Sequence, residues 1–307
     1  MSIAFSFDQV WGQGQPDVSA SHTSTTAKMR PGSIHSLSGR DQRVTHLGIC
    51  LPVMILPMPV CGTTGLASLF SNICQANAEA LSAIVIYQTA NPGRPVIYSN
   101  ANGTMDFRNG AYLGGSPEMR LMAASLTQMG RFYEFPSCSA GCTSDAKQPG
   151  PEDVLEKLMT TIPPVCAGAD IIVGLGEIES DQDLVLEQLV VDNELVPFFE
   201  RIITCVDSSE VNDLYQDIAQ VGPGGNFLKS KNTQLAARSA EFFYPSLTDR
   251  HLYEPWVGID IPTIYTKARE KVEEILSAPM VDPLPENVFK EPDEILQVAD
   301  KEFAAKD

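Results

Sequence analysis

A chain of 307 residues and 33.3 kDa, with 43% hydrophobic residues, has enough apolar material for one large or two medium globular domains. Its formal net charge of -18 and pI near 4.5 argue against a polyanionic partner, because nucleic-acid affinity comes largely from clustered Lys and Arg meeting phosphates. The seven cysteines, at positions 50, 61, 74, 138, 142, 166 and 205, contain no CxxC pair, as expected for reduced thiols in the cytoplasm.

In chain order, residues 1–47 are rich in Ser, Thr, Gly, Gln and Pro without helical or strand periodicity, and predict a poorly ordered leader. Met1 to Val10 carries no basic n-region, so no secretory signal is expected. The apolar run Cys50 to Val60 is about half a membrane span and holds Pro52, Pro57 and Pro59; it reads as a buried strand near Val53 to Val60. After the turn Cys61-Gly62-Thr63-Thr64-Gly65, a long helix spans Leu66 to Thr89. Pro92 and Gly93 end it, and Val96 to Ser99 has the β-branched and aromatic character of a second strand.

Ser116 suits an N-cap, Pro117 a first helical position and Glu118 the positive helix end, so a helix runs from Ser116 to about Tyr133. A strand near Ser137 to Gly141 leads through the loop Cys142 to Pro151 into a helix Glu152 to Leu158, whose continuation Pro163-Pro164 should interrupt. A fourth strand, Asp170 to Val173, ends at Gly174-Leu175-Gly176-Glu177. Helices follow over Leu184 to Val206, Ser208 to Val221 and Tyr265 to Ser277, with a turn at Gly222-Pro223-Gly224-Gly225. Residues 278–307 form an acidic tail.

Strands alternating with amphipathic helices are the signature of parallel β/α units, whose polar side chains gather where the strands end. All four histidines, at 22, 35, 46 and 251, lie outside residues 47–250, which disfavours imidazole catalysis or an imidazole metal site there. Asp106, Glu118, Glu177, Tyr98 and Tyr112 stand at or after strand ends, where α/β folds gather the polar side chains of their sites. Arg108 either holds Asp106 or binds a substrate carboxylate. Each also has a plainer reading as a cap, a surface pair or core. Ile171-Ile172-Val173-Gly174-Leu175-Gly176 lacks the third glycine of a dinucleotide loop.

Several segments in order carry a resemblance. Leu56-Pro57-Met58-Pro59, Gly62-Thr63-Thr64-Gly65, Ala76-Asn77-Ala78-Glu79 and Asn91 to Tyr98 are followed by Met105-Asp106-Phe107-Arg108 and Gly115-Ser116-Pro117-Glu118. Asp145-Ala146-Lys147, Val221 to Gly225 and Tyr253-Glu254-Pro255-Trp256 complete the series. Across residues 49–277 the chain resembles the C-terminal portion of the trimethylamine:corrinoid methyltransferase family, in a form without pyrrolysine.

The resemblance implies an α/β fold, a partial TIM-like (β/α) barrel over residues 48–277 whose upstream strands are replaced by the leader. It implies transfer of a methyl group from trimethylamine or a betaine-like amine to the cobalt of a corrinoid (cobalamin) carried by a cognate corrinoid protein. That is one-carbon chemistry of the kind found in methanogenesis. Asp106, Glu118 and Lys147 are then catalytic candidates; Tyr98, Arg108, Tyr112 and Glu177 line the substrate; Gly62, Thr63, Gly224 and Gly225 approach the corrinoid. Lys147, near the position matching pyrrolysine, reads equally as a solvated loop lysine, and the Gly222 to Gly225 turn as a helix cap. No directly bound metal, nucleic acid or membrane is expected. Exposed strand edges make a homo-oligomer an option, and a truncated, non-catalytic relative acting only as a subunit is the alternative. Two departures from the family pattern are Asn226 and Asn232, which stand where relatives carry histidine.

Overall fold

The computed structural model describes residues 4–6, 26–29, 52–209, 212, 214–259, 261–279 and 296–297. Most of the leader and of the acidic tail, and the expectations placed on them, lie outside the described residues. Two leader stretches form strands, β1 (Ala4–Ser6) and β2 (Thr26–Met29). Then come β3 (Val53–Pro57), α1 (Leu69–Ala90), β4 (Val96–Asn100), the short hairpin β5 (Thr104–Met105) and β6 (Tyr112–Leu113), and α2 (Pro117–Phe132). They are followed by β7 (Ser137–Ala140), α3 (Pro151–Cys166), β8 (Ile171–Val173), β9 (Glu177–Ile178), β10 (Asp183–Leu184) and α4 (Leu186–Ile203). Four further helices complete the described chain: α5 (Tyr215–Val221), α6 (Lys231–Ala236), α7 (Tyr253–Val257) and α8 (Ile264–Ser277).

The main sheet has six strands in the order β1-β8-β7-β4-β3-β2. Strands β2, β3, β4, β7 and β8 are mutually parallel neighbours, and β1 caps one edge antiparallel to β8. The sheet is open, with β1 and β2 as its two edges, so the expected barrel is met only as far as a parallel mixed α/β array. Period-two alternation sorts the side chains. Ile55, Val96 and Tyr98 pack under α1 and α2, and Ile172 packs under α3 and α4. Met54, Ile97, Cys138 and Ile171 face the opposite side.

Two expectations are corrected. Helix α3 does not break at Pro163-Pro164 but runs on to Cys166. Both prolines fall in its final turn, where their carbonyls accept from Ala167 N and Ala169 N and so close the helix end. The helix expected from Ser208 begins only at Tyr215; a turn in which Asp207 accepts from the Ser209 N–H precedes it. Gly222, at φ 68°, caps its end, the plainer of the two readings of that turn.

The chain divides into two compact units, residues 1–269 and 270–307. The described part of the second is the last stretch of α8, residues 278–279 and residues 296–297; within it Lys271 Nζ lies 2.8 Å from Glu274 Oε2.

Candidate functional site

The loops that follow the parallel strands are drawn together by buried polar side chains. Ser116 opens α2 as its N-cap, its Oγ accepting from Met119 N at 3.3 Å and lying 2.7 Å from Thr104 Oγ1 of β5. One turn on, Arg120 stands on the buried stripe of α2 and is 1% exposed. Its Nη1 donates to Ala140 O at 2.5 Å and its Nη2 to Gly114 O at 2.5 Å and to Thr143 Oγ1. The guanidinium thus bridges the end of β7 and the loop entering α2. Its Nε finds no acceptor. Burial pulls its pKa down to about 10, against the opposing pull of the Tyr112 phenol and the Asp181 and Asp145 carboxylates.

Asp145, in the loop after β7, is the second junction. Its Oδ1 accepts from Gly114 N and from Ser180 Oγ, each at 2.6 Å, while Asp145 N donates to Glu156 Oε2 of α3 at 2.7 Å. Ser180 lies in a run of three left-handed, non-glycine residues, Glu179, Ser180 and Asp181, with φ of 53°, 56° and 68°. Such residues cost of order 1–3 kcal/mol each and persist only where their surroundings hold them. Here the holds are Glu179 N to Ala146 O at 2.9 Å and Ser180 N to Ser144 O at 2.8 Å. Between these loops sits Tyr112, its ring laid over Gly103, where any side chain would collide with it. Its phenol is pushed up first by burial and next by the charge of Asp181. Tyr112, Asp145 and Asp181 therefore share one part of the rim with Arg120.

A third buried cluster joins α3, α4 and the end of β8. Lys157 Nζ lies 2.5 Å from Asp192 Oδ2 and 3.8 Å from Asp153 Oδ1, all three side chains fully buried. Asp192 also accepts from Gly176 N at 2.7 Å and Gln188 Nε2 at 2.6 Å, and Tyr265 OH donates to Gln188 Oε1 at 3.0 Å. Neither oxygen of Asp153 accepts a hydrogen bond. The nearby Ser144 hydroxyl gives its proton to Glu156 at 2.9 Å. Burial, partly offset by Lys157, pushes Asp153 up to about 6.

The residues singled out from sequence divide among these surroundings. Tyr112 and Lys147 lie with the Asp145 loop; Lys147 is exposed and donates to Asp145 O at 2.5 Å. Glu177, half-buried in β9, pairs across to Leu184. Glu118 is exposed in the first turn of α2. Asp106 is held by Arg108, whose Nε and Nη2 reach it at 2.9 and 2.7 Å, in an exposed hairpin turn. Those hydrogen bonds draw Asp106 down to about 2.

Tyr98 is corrected. It faces α1 and α2, fully buried, with its OH on Asn77 Oδ1 at 2.9 Å, because its place in the strand alternation turns it to the helix layer rather than the rim. Gly62, at φ 88°, is crowded by the Phe107 ring, where an added Cβ would come within 2.6 Å, so its small size serves turn packing. Thr63 Oγ1 bonds back to Val60 O at 3.3 Å. Gly224 and Gly225 are exposed in the turn after α5.

Sequence reasoning missed Arg120, Asp181 and the Lys157 cluster. Arg120 carried a signal, a charge within the apolar series Met119, Met122, Ala123 and Leu126. Asp153 and Lys157 look from sequence like an ordinary solvated i,i+4 pair. The rim as a whole offers carboxylates, a phenol and a guanidinium. Cys142 is buried, with its thiol pushed well up by that burial, which removes it as a nucleophile.

Residues 44–299 match the family described as trimethylamine methyltransferase (MTTB). The chain is similar to trimethylamine methyltransferase MttB of Methanosarcina barkeri, 36% identical over 254 residues, covering 82% of this chain and 51% of that one. It is also similar to glycine betaine methyltransferase of Desulfitobacterium hafniense, 31% identical over 235 residues, covering 75% and 49% respectively. The chain spans about half the length of the curated relatives it matches.

Proposed function

Since the chain belongs to the trimethylamine methyltransferase family, we propose that it takes part in moving a methyl group from a small methylated amine, trimethylamine or a betaine-like compound, to the cobalt of a corrinoid carried by a partner protein. The single observation that carries the reading is the convergence of Tyr112, Asp145 and Asp181 on one part of the strand-end rim. A methylated ammonium has no N–H to donate along its methyl directions; it is recognised by negative charge and by aromatic surface. An anionic, aromatic rim, with no imidazole among the described residues that form it, suits that ligand.

The corrinoid, when bound, supplies the nucleophile that accepts the methyl group. This chain's part is to orient the amine with its C–N bond aimed outward from the carboxylates and to hold charge near the nitrogen until the neutral amine departs with the bonding pair. Asp145 and Asp181 face the cation, Tyr112 gives its ring, and Arg120 keeps the two loops that carry them in register. Glu118, Lys147 and Glu177 stand around the same loops as further candidates, and the Asp106 to Arg108 pair lies on the outer hairpin. The winding of β2, β3, β4, β7 and β8, each beside its predecessor, supports a TIM-like barrel as the parent architecture. The free thiols Cys61, Cys74, Cys138, Cys142, Cys166 and Cys205 support work in the cytoplasm.

The test mixes the chain with reduced corrinoid protein and a panel of methylated amines under anaerobic conditions, following corrinoid absorbance and loss of the N-methyl signal by NMR. Methyl transfer that falls about 100-fold in Asp145→Asn is the expected result, the size of losing one charge contact to a desolvated cation. Absence of transfer with every amine overturns the catalytic reading.

A further inference from the structure

Helix α3 reaches the rim through Glu156, a half-buried residue of its second turn that no sequence motif marks. Its Oε2 accepts from two donors of the loop after β7, Ser144 Oγ at 2.9 Å and Asp145 N at 2.7 Å. Ser144 is fully buried and passes the hold on: its Oγ accepts from Ala146 N at 3.0 Å, its carbonyl accepts from Ser180 N at 2.8 Å, and Ser180 Oγ reaches Asp145 Oδ1 at 2.6 Å. Asp145 is thus fixed by its main chain on Glu156 and by Oδ1 on Gly114 N and Ser180 Oγ. Among the described residues no donor reaches its Oδ2.

Gly115 is the other half of the arrangement. It stands just before the Ser116 cap of α2, and a Cβ added there would fall 2.5 Å from Glu156 Oε2 and 3.1 Å from Asp145 Oδ2. Its φ lies outside the left-handed region, so the backbone at 115 accepts any residue. What requires glycine is the pair of carboxylates lying against its α-carbon.

The geometry points to Glu156 as a positioning residue for Asp145, with the bare α-carbon of Gly115 leaving the space its carboxylate occupies; the two together set how tightly the rim holds a methylated ammonium. This rests on the function proposed above and adds to it the residues that govern amine affinity. The charge of Glu156 is matched locally, by its two donors and by the positive end of α2 beside Gly115, so its effect on the amine runs through where it puts Asp145. The left-handed run Glu179 to Asp181 gives a further reason. Strained residues stay in place only where their surroundings hold them, and Ser144, whose hydroxyl Glu156 holds, supplies the carbonyl for the middle one. Release of Glu156 therefore loosens the loops of both carboxylates that face the cation. A shift of about 1 Å in a positioned group can cost about 100-fold.

Isothermal titration calorimetry of the full chain with trimethylammonium chloride, and in parallel with glycine betaine, tests this. Glu156→Ala is expected to weaken binding of the amine about 20-fold, and Gly115→Ala, which displaces the same carboxylate from the other side, about 10-fold. Glu156→Gln keeps a carbonyl oxygen to accept from Ser144 Oγ and Asp145 N and should stay within about 3-fold of wild type, a rescue that a charge acting directly on the cation would not show. Glu152→Ala removes the same charge from the exposed first turn of α3 and should leave binding unchanged. If Glu156→Ala folds poorly, Gly115→Ala and Glu156→Gln carry the test. Wild-type affinity in Gly115→Ala, or a loss in Glu156→Gln as large as 10-fold, overturns the positioning role and leaves the proposed function standing; a wild-type chain that binds neither amine overturns both.

Discussion

Asp153, Lys157 and Asp192 place three formal charges where water does not reach. With Asp192 held by Lys157, Gly176 N and Gln188, its charge is matched, and Asp153 is left with one distant cation and no donor. A carboxyl in that position prefers its proton, so Asp153 titrates near 6 when folded against 3.8 for the free group. Because the folded state holds the proton more tightly, the stability this provides is complete below pH 3.8 and is lost as pH rises through about 6. Chemical denaturation at pH 4.5 and 7.5 should therefore show wild type losing about 2 kcal/mol relative to Asp153→Asn over that interval. Equal pH profiles for the two proteins would refute the assignment. Lys157→Met strands Asp192 without its counter-ion and should cost about 3–5 kcal/mol at neutral pH, read as a lower denaturation midpoint. From sequence the pair at 153 and 157 has the spacing of a surface salt bridge. Only the packing of α3 against α4 decides that it faces inward.

Elements announce themselves through their ends. The Ser116-Pro117-Glu118 start of α2 is legible in sequence because each residue answers a local need, and the structure places the cap hydrogen bond on Met119 N. Ser116→Ala should cost about 1 kcal/mol in equilibrium unfolding, since it removes that acceptor from a helix end shielded from solvent. Gly174 reports a different constraint. At φ 113° it follows β8, and an added Cβ would collide with the carbonyl oxygen of Gly141 and lie 2.9 Å from Thr143 Cγ2. Gly174→Ala combines backbone strain with a collision against another main chain and should destabilise by at least about 2 kcal/mol, visible as a drop in Tm. Sequence reads this glycine as part of a weak nucleotide-loop pattern. Its real demand, close approach of two strand ends, depends on partners 33 residues away and leaves no local trace. Pro163-Pro164 likewise escapes its local rule, which predicts a break where the helix runs through both residues to Cys166.

On the scale of the whole molecule, the strands β3, β4, β7 and β8 and the helices α1 to α4 are legible because period-two and period-3.6 patterns there answer one buried sheet, whereas the two-residue strands β5, β6, β9 and β10 are too short to show a period. Beyond α4, α8 is legible as the helix Tyr265 to Ser277 and α5 by its end at Val221, whereas α6 and α7 have no buried residue and so carry no burial pattern to read. What ties residues 204–259 to the rest is a short set of contacts. The Glu194 carboxylate, in the buried stripe of α4, accepts from Ser246 N, Ser246 Oγ and Leu247 N at 2.6, 2.6 and 2.9 Å. Arg201 reaches Glu241 O at 2.9 Å, and the Phe198 and Phe243 rings meet edge to face at 4.6 Å. Exposed Leu228, Tyr244, Tyr253 and Trp256 lie along the segment as chymotrypsin targets. Limited chymotrypsin digestion should cut first within 204–259 and leave the fragment bearing β3 to β8 and α1 to α4 intact longest, because opening the segment breaks few buried contacts while opening the sheet breaks many. Glu194→Ala removes three hydrogen bonds to a charged acceptor at one stroke and should speed that first cut about 10-fold without altering the lifetime of the resistant fragment. First cuts inside α1 to α4, or an unchanged rate in the variant, would mean that the segment is held by something other than the Glu194 anchor.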